Sequence, residues 1–152
     1  MISEQQIMDA TCEIFDTMVM IPVKPEQPYT KKQTTFKNSV SSMVGLAGNI
    51  QGIVGVHATE EVARDIAGNF LDSEFGKVDE EVKDALCELA NMLAGFIKSS
   101  LSDRYDVQIS IPSVIHGDYT LLIYSNAQWI MIPFRIKSGK FLVEVQLKTN
   151  PL

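Results

Sequence analysis

Residues 79–101 read DEEVKDALCELANMLAGFIKSSL, and this stretch decides the fold. At about 100° per residue, its large apolar residues fall on one side, as in a helix that packs against a core. These residues are Val82, Leu86, Leu89, Leu93, Phe96 and Ile97. The other side carries Asp84, Glu88, Asn91 and Gly95, at spacings of four, three and four residues. The stretch therefore predicts one long amphipathic helix on which a carboxylate and a carboxamide lie about one turn apart.

The polar side of this helix has two interpretations. A solvated outer face is the simpler one, because soluble helices have polar outer faces. However, the small residues Cys87, Ala94 and Gly95 flank the polar pair. A plain outer face would favour Lys, Glu and Arg, since Gly is a poorer helix former than these by roughly 1 kcal/mol. The second interpretation is a shallow docking strip with two functional side chains.

The composition fits one globular domain over residues 1–152, because 152 residues with 45% apolar content can bury a sizeable core. The net charge of −6 and an isoelectric point near 4.8 argue against a nucleic-acid or anionic-membrane surface, since both need clustered Lys and Arg. We therefore expect a protein or small-molecule partner, no nucleic acid and no membrane.

The two cysteines, Cys12 and Cys87, are too few for a disulfide framework, and both lie in helical patterns. The chain opens without a basic and then apolar leader, and no apolar run is long enough to cross a bilayer. We expect reduced thiols and a cytoplasmic location.

Two further helices are predicted before the long one. Ser3 and Gln6 form a capping-box pattern that begins a first helix over residues 3–19. Its apolar stripe consists of Ile7, Ile14 and Met18. Thr59 can cap a second helix that ends by about Leu71.

The remaining chain predicts strands and connections. Residues 34–47 and 50–58 predict a hairpin with a turn at Gly48-Asn49, and the proline-rich residues 22–32 predict a surface connection. After Asp103 the pattern predicts a meander of antiparallel strands over 107–115, 119–124, 129–136 and 141–147. The turns predicted between them are Gly117-Asp118, Asn126-Ala127 and Ser138-Gly139.

The strand residues also predict sheet faces and edges. Residues 142, 144, 146 and 148 alternate with apolar residues, which predicts a sheet with one wetter face. Pro112 and Pro133 cannot donate to a ladder and predict edges or bulges. An exposed edge strand would be a route to pairing between subunits.

The first and the long helix resemble each other at an offset of 75 residues, which indicates an internal duplication. The offset aligns Asp9 with Asp84, Ala10 with Ala85, Cys12 with Cys87, Glu13 with Glu88, Ile14 with Leu89, Asp16 with Asn91 and Met18 with Leu93. We predict an α/β fold of the α+β type: an antiparallel-rich sheet with two long pseudo-symmetric helices packed on it.

The pattern Asp84-x3-Glu88-x2-Asn91-x3-Gly95, on a long helix of a duplicated chain, resembles the CheC/CheX/FliY family of chemotaxis phosphatases. It is most similar to CheX, in which a single copy of the motif is active. The resemblance implies removal of the phosphoryl group from the phospho-aspartate of a CheY-type response regulator. It also implies that Asn91 enters the regulator's active site and orients the attacking water, while Glu88 pairs with the regulator's active-site lysine.

Further expectations follow from the same resemblance. Asp84, Gly95 and Lys98 would contact the partner, Mg²⁺ would belong to the regulator with no metal on this chain, and the protein would be a homodimer. The first helix departs from the motif, since Asp16 replaces the amide and Met20 the glycine. A carboxylate repels an anionic phosphoryl group, so we predict that the Glu13/Asp16 face is catalytically silent.

Other functions remain open at this stage. A noncatalytic module that docks a response regulator or another signalling protein would use the same helix face. A hydrolase could use Asp84 and Glu88 as its own acid and base, although that chemistry favours a cleft that the sequence does not indicate. His57 and His116 stand singly, which is typical of core or loop histidines rather than metal ligands.

Overall fold

The long helix and its two companions pack on one side of a sheet. The computed structural model describes residues 2–31, 33–122 and 127–150, and over these residues it contains three α-helices and seven strands. The helices are α1 (Glu4–Ile14), which continues as a π-helical turn (Phe15–Val19), α2 (Glu60–Leu71) and α3 (Glu80–Leu101). The predicted bounds of all three helices are confirmed to within one residue at most ends.

Side chains at the N-termini define where each helix begins. Ser3 and Gln6 form the predicted capping box of α1, and the Thr59 hydroxyl accepts a hydrogen bond from the backbone N–H of Val62 in α2. These caps satisfy backbone N–H groups that have no partner inside the helix. The starts of α1 and α2 therefore match the capping residues that the sequence predicts.

All strand pairings in the described sheet are antiparallel. The strands are β1 (Lys24–Pro25), β2 (Gln33–Gly48), β3 (Ile50–Thr59), β4 (Val107–Ile109), β5 (Ser113–Leu122), β6 (Gln128–Ile136) and β7 (Gly139–Thr149). Their order is β1-β6-β7-β3-β2-β4, and β5 also pairs with β2. This mixed architecture confirms the predicted fold class.

The sheet has the two-fold order expected of a duplicated unit. The hairpins β2–β3 and β6–β7 meet through the central pairing of β3 with β7. Strand β1, from the first half of the chain, pairs with β6, and β5, from the second half, pairs with β2. Each half of the chain therefore contributes one strand to the outer side of the other half's hairpin.

Two predictions about the later strands are wrong. Residues 107–115 do not form one strand, because the chain leaves the sheet around Pro112 and separates β4 from β5. The strands also do not form a meander, since β4 and β5 pair with β2, on the far side of β3 from the β6–β7 hairpin.

Gly117-Asp118 is not a hairpin turn, because β5 runs through both residues. They lie opposite a bulge in β2 between Phe36 and Ser39, where the Asp118 carboxylate accepts a hydrogen bond from the backbone N–H of Asn38 at 2.7 Å. Gly117 has φ 125°, a conformation that glycine adopts cheaply. Gly117-Asp118, a dipeptide typical of turns, therefore accommodates a β-bulge in the neighbouring strand instead.

The predicted turns at 48-49 and 138-139 lie within one residue of those in the structure, whereas the predicted surface connection contains the short edge strand β1. A turn joins β6 to β7 just before Gly139, and residues 24–29 run along β6, with the backbone N–H of Glu26 donating to the Pro133 carbonyl. Of the predicted turn at 126-127, residue 126 lies outside the described residues, as does the end of the predicted strand 119–124.

The apolar stripe of the first helix differs from its prediction at one residue. Met18 is 49% exposed, whereas Phe15 and Val19 are buried and Phe15 stacks on Phe141 with ring centroids 4.9 Å apart. The reason is the π-helical turn, whose wider spacing rotates the residues after Ile14 about the helix axis. In the part of the chain that the structure describes, no helix is long and apolar enough to span a bilayer.

Candidate functional site

Helix α3 is held rigidly by one buried side. The Asp79 carboxylate accepts a hydrogen bond from the backbone N–H of Val82 at 3.0 Å, and Glu80 and Glu81 suit the positive end of the helix dipole. The buried side consists of Val82, Ala85, Leu86, Leu89, Ala90, Leu93, Ala94, Ile97 and Leu101. A helix packed along its whole length presents its opposite face with little freedom to move.

A buried hydroxyl of the sheet also fixes α3 next to the motif. Ser42 of β2 is fully buried, and its Oγ donates to the Leu86 carbonyl at 2.8 Å. The bond lies half a turn from Glu88 along the helix. It therefore sets the position of the helix at the level of the candidate site.

The predicted site residues lie together on one exposed face of α3, which we call the polar strip: Asp84, Glu88, Asn91, Gly95 and Lys98. Asp84, Glu88 and Lys98 are exposed, and Asn91 and Gly95 are half-buried. A Cβ atom added at Gly95 would meet no atom within 4 Å. The glycine is therefore not required by packing within this chain, and it leaves open space one turn beyond Asn91.

The two central side chains of the polar strip are free to bind a partner. Within residues 2–31, 33–122 and 127–150, neither the Glu88 carboxylate nor the Asn91 amide makes a side-chain hydrogen bond or an ion pair. A solvent-accessible amide such as that of half-buried Asn91 can both donate to and accept from a water molecule without adding charge. An exposed carboxylate can pair with a cation.

The cysteine beside the polar strip has a raised pKa. Burial raises the pKa of the Cys87 thiol, and the Asp84 carboxylate raises it further. Burial likewise raises the pKa of Cys12, with Asp16 and Asp9 adding to the effect. Both residues are free cysteines, and at neutral pH they are thiols rather than reactive thiolates.

The corresponding face of the first helix differs in geometry as well as in sequence. Asp16 lies in the π-helical turn, and Met20, which takes the place of the glycine, ends that turn with φ 62° and is 77% exposed. Glu13 and Asp16 are exposed. The first helix therefore ends at Met20, whereas α3 continues past the corresponding residue, Gly95, to Leu101.

A buried polar network on the other face of the sheet was not predicted. His57 Nδ1 lies 2.6 Å from Ser41 Oγ, and His57 Nε2 lies 2.8 Å from Glu144 Oε1. The indole N–H of Trp129 donates to the second oxygen of Glu144 at 3.0 Å, and Phe36 stacks on His57. The arrangement resembles a catalytic triad in residue types, but Ser41, His57 and Glu144 are all buried, which closes them to a substrate.

This network corrects one prediction and confirms another. Glu144 belongs to the wetter face of β7 by alternation, yet it is only 3% exposed because the network covers it. His57 is a core histidine, as predicted. His116 is partly exposed and pairs with Glu60 at 2.7 Å. Among the described residues, no group of three or more His, Cys, Asp or Glu side chains could hold a metal ion.

The environment of the polar strip does not favour a hydrolase that uses its own acid and base. Asp84 and Glu88 are both exposed, and the groove that they line together with Leu71 is open to solvent, so it does not exclude water from the two carboxylates. A cavity of about 620 Å³ near the end of α2 is lined by residues between Asp65 and Gly76, and none of the polar strip contributes to it.

Known proteins similar to this chain share its fold. The family model for chemotaxis phosphatase CheX matches residues 40–135, which include Glu88 and Asn91. A chemotaxis protein CheX from Desulfovibrio desulfuricans is 32% identical with a TM-score of 0.82, over 95% of this chain and 97% of that chain. A CheC-like superfamily protein from Shewanella sp. PV-4 is 29% identical with a TM-score of 0.84, over 95% and 96% of the two chains.

A structure from Borrelia burgdorferi, a complex of CheX with CheY, BeF3 and Mg²⁺, contains the same fold. It is 21% identical with a TM-score of 0.76, over 95% of this chain and 96% of that chain. A comparison with curated proteins finds no match. Because the CheX model matches well over half of the 152 residues, the chain belongs to the chemotaxis phosphatase CheX family.

Proposed function

We propose that this protein accelerates the hydrolysis of the phospho-aspartate of a CheY-type response regulator. The observation that carries the proposal is the pair of unbonded side chains Glu88, which is exposed, and Asn91, which is half-buried, about one turn apart on a helix whose opposite side is buried. Family membership supports the same activity. The Borrelia burgdorferi complex, in which a CheX binds CheY, supports a regulator as the partner.

In the proposed mechanism, Asn91 positions the water molecule. Its amide oxygen accepts a hydrogen bond from the water, whose oxygen attacks the phosphorus while the bond to the aspartyl oxygen breaks. The products are inorganic phosphate and the free carboxylate of the regulator. Positioning is most of what phosphoryl transfer requires of a protein, and a neutral amide avoids repulsion with the phosphoryl oxygens.

Glu88 orients the complex. Its carboxylate pairs with the regulator's active-site lysine, which fixes Asn91 over the phosphoryl group. Asp84, Gly95 and Lys98 contact the regulator around this pair. The Mg²⁺ that neutralises charge on the phosphoryl group belongs to the regulator, since the Borrelia burgdorferi complex holds CheY, BeF3 and Mg²⁺ together.

We also propose a cytoplasmic homodimer. Its subunits would pair through an exposed sheet edge, for which β5 (Ser113–Leu122) is suited because its outer side has no neighbouring strand in the described sheet.

The decay of a phosphorylated CheY-type regulator, followed with and without substoichiometric wild-type protein, tests the proposed activity. We expect decay to accelerate over many turnovers. Binding of the regulator without acceleration would contradict the activity and leave a noncatalytic docking module.

A further inference from the structure

A groove runs beside Glu88, between the end of α2 and the first half of α3. It has a volume of about 340 Å³ and is lined by Phe70, Leu71, Glu81, Asp84, Ala85 and Glu88. Leu71 is 41% exposed, Phe70 is half-buried, and Ala85 is buried between the acidic residues of α3. An exposed leucine that adjoins a functional strip offers apolar surface to a partner.

The α3 side of this groove carries three negative charges. Glu81, Asp84 and Glu88 are spaced three and four residues apart, so their side chains share one face of the helix. None of the three forms an ion pair among the residues that the structure describes. Like charges at these spacings destabilise a helix, and a cationic partner would remove that cost.

The groove and the polar strip are continuous. Asp84 and Glu88 belong to both, so a partner seated over Asn91 necessarily covers the groove as well. The volume suits one large side chain, and apolar anchors that fill such pockets dominate the binding energy of many interfaces.

We propose that this groove is a second contact for the response regulator and takes one apolar side chain of the regulator that is flanked by Lys or Arg. The inference rests on the proposed function, since it assumes that the regulator docks on the polar strip. The groove would fix the angle at which the regulator approaches, and its acidic side would select regulators with a basic surface beside the anchor.

Leu71→Asp tests the apolar contact, with Met18→Asp as the matched control. Both residues are exposed apolar side chains near a helix end, at 41% and 49% exposure, but Met18 lies outside the groove. The two readouts are kcat and KM for a phosphorylated CheY-type regulator, and Kd for the same regulator measured in an Asn91→Ala background, which keeps it phosphorylated. We expect Leu71→Asp to raise KM and Kd about tenfold while kcat at saturation is kept, and Met18→Asp to change neither.

Glu81→Gln tests the charge contact independently of the apolar one. Its side chain is exposed and outside the motif, so the fold should tolerate the change. We expect a raised KM and a weaker dependence of KM on salt concentration, because one screened attraction is removed. If the KM of Glu81→Gln depends on salt concentration as strongly as that of wild type, the proposed charge contact is contradicted.

The outcomes separate the groove from the phosphatase activity. Acceleration by wild type with an unchanged KM in Leu71→Asp would overturn the groove and leave the activity. Weaker binding by Leu71→Asp without acceleration by wild type would overturn the activity and leave the groove. No binding of the regulator by wild type would overturn both.

Discussion

The Ser42 hydroxyl donates to the Leu86 carbonyl at 2.8 Å, joining the sheet to α3 half a turn from Glu88. We expect Ser42→Ala to lower the free energy of unfolding by about 1 kcal/mol, because a buried hydrogen bond is lost. Urea denaturation measures this, with Ser99→Ala, an exposed position on the same helix, as the control. Equal stability of the two variants would contradict a role for this bond.

Gly95 is expected to lower the stability of α3 and to allow close contact with the regulator. A Cβ at this position meets nothing within 4 Å, so Gly95→Ala should raise the free energy of unfolding by about 1 kcal/mol through helix propensity alone. If the regulator approaches closely here, the same variant raises KM. A more stable protein with an unchanged KM would show that Gly95 is not a contact.

The first-copy face is expected to be silent. Glu13→Ala combined with Asp16→Ala should leave kcat/KM for the phosphorylated regulator unchanged, because a carboxylate at residue 16 repels the phosphoryl group. The matched variant on α3 is Glu88→Ala combined with Asn91→Ala. A large loss of activity in the first double variant would contradict the single-site account.

The two histidine–glutamate pairs should differ greatly in their contribution to stability. His57 and Glu144 are buried, so His57→Ala removes a buried hydrogen bond to the Glu144 carboxylate, which keeps its bond from Trp129, and should cost about 2–3 kcal/mol. His116 and Glu60 are partly exposed, so His116→Ala should cost less than about 1 kcal/mol. Chemical denaturation of both variants decides this, and similar losses would mean that the buried network is dispensable.

Cys87 reports on the charge of Asp84. The carboxylate raises the pKa of the thiol, so Asp84→Asn should lower that pKa and move the alkylation profile to lower pH. Burial is the larger cause of the shift, so the profile should still lie above that of a freely exposed thiol. Alkylation rates between neutral and alkaline pH, in a Cys12→Ser background, measure the effect. A profile that stays in place would show that Asp84 does not act on Cys87.

Local patterns were sufficient to predict α3 and the polar strip. Helix periodicity determines which residues share a face, whatever the helix packs against, so Glu88, Asn91 and Gly95 could be placed together from spacing alone. The capping residues Ser3 and Thr59 act within one turn of their helices and could be predicted from the sequence in the same way.

Contacts between distant residues could not be predicted in this way. His57 and Glu144 are 87 residues apart in the chain and meet only because β3 pairs with β7. Gly117 signalled a positive φ, but a hairpin turn and a bulge both use that conformation, and the partner strand determines which one forms. The groove at Leu71 likewise depends on how α2 packs against α3.

The Asn91→Ala variant tests the central claim most directly, through kcat for dephosphorylation and Kd for the phosphorylated regulator on the same samples. If Asn91 acts mainly in the transition state by positioning water, kcat should fall about 10²-fold or more while Kd changes little. A variant that keeps its kcat, or that loses binding and turnover together, would contradict the account.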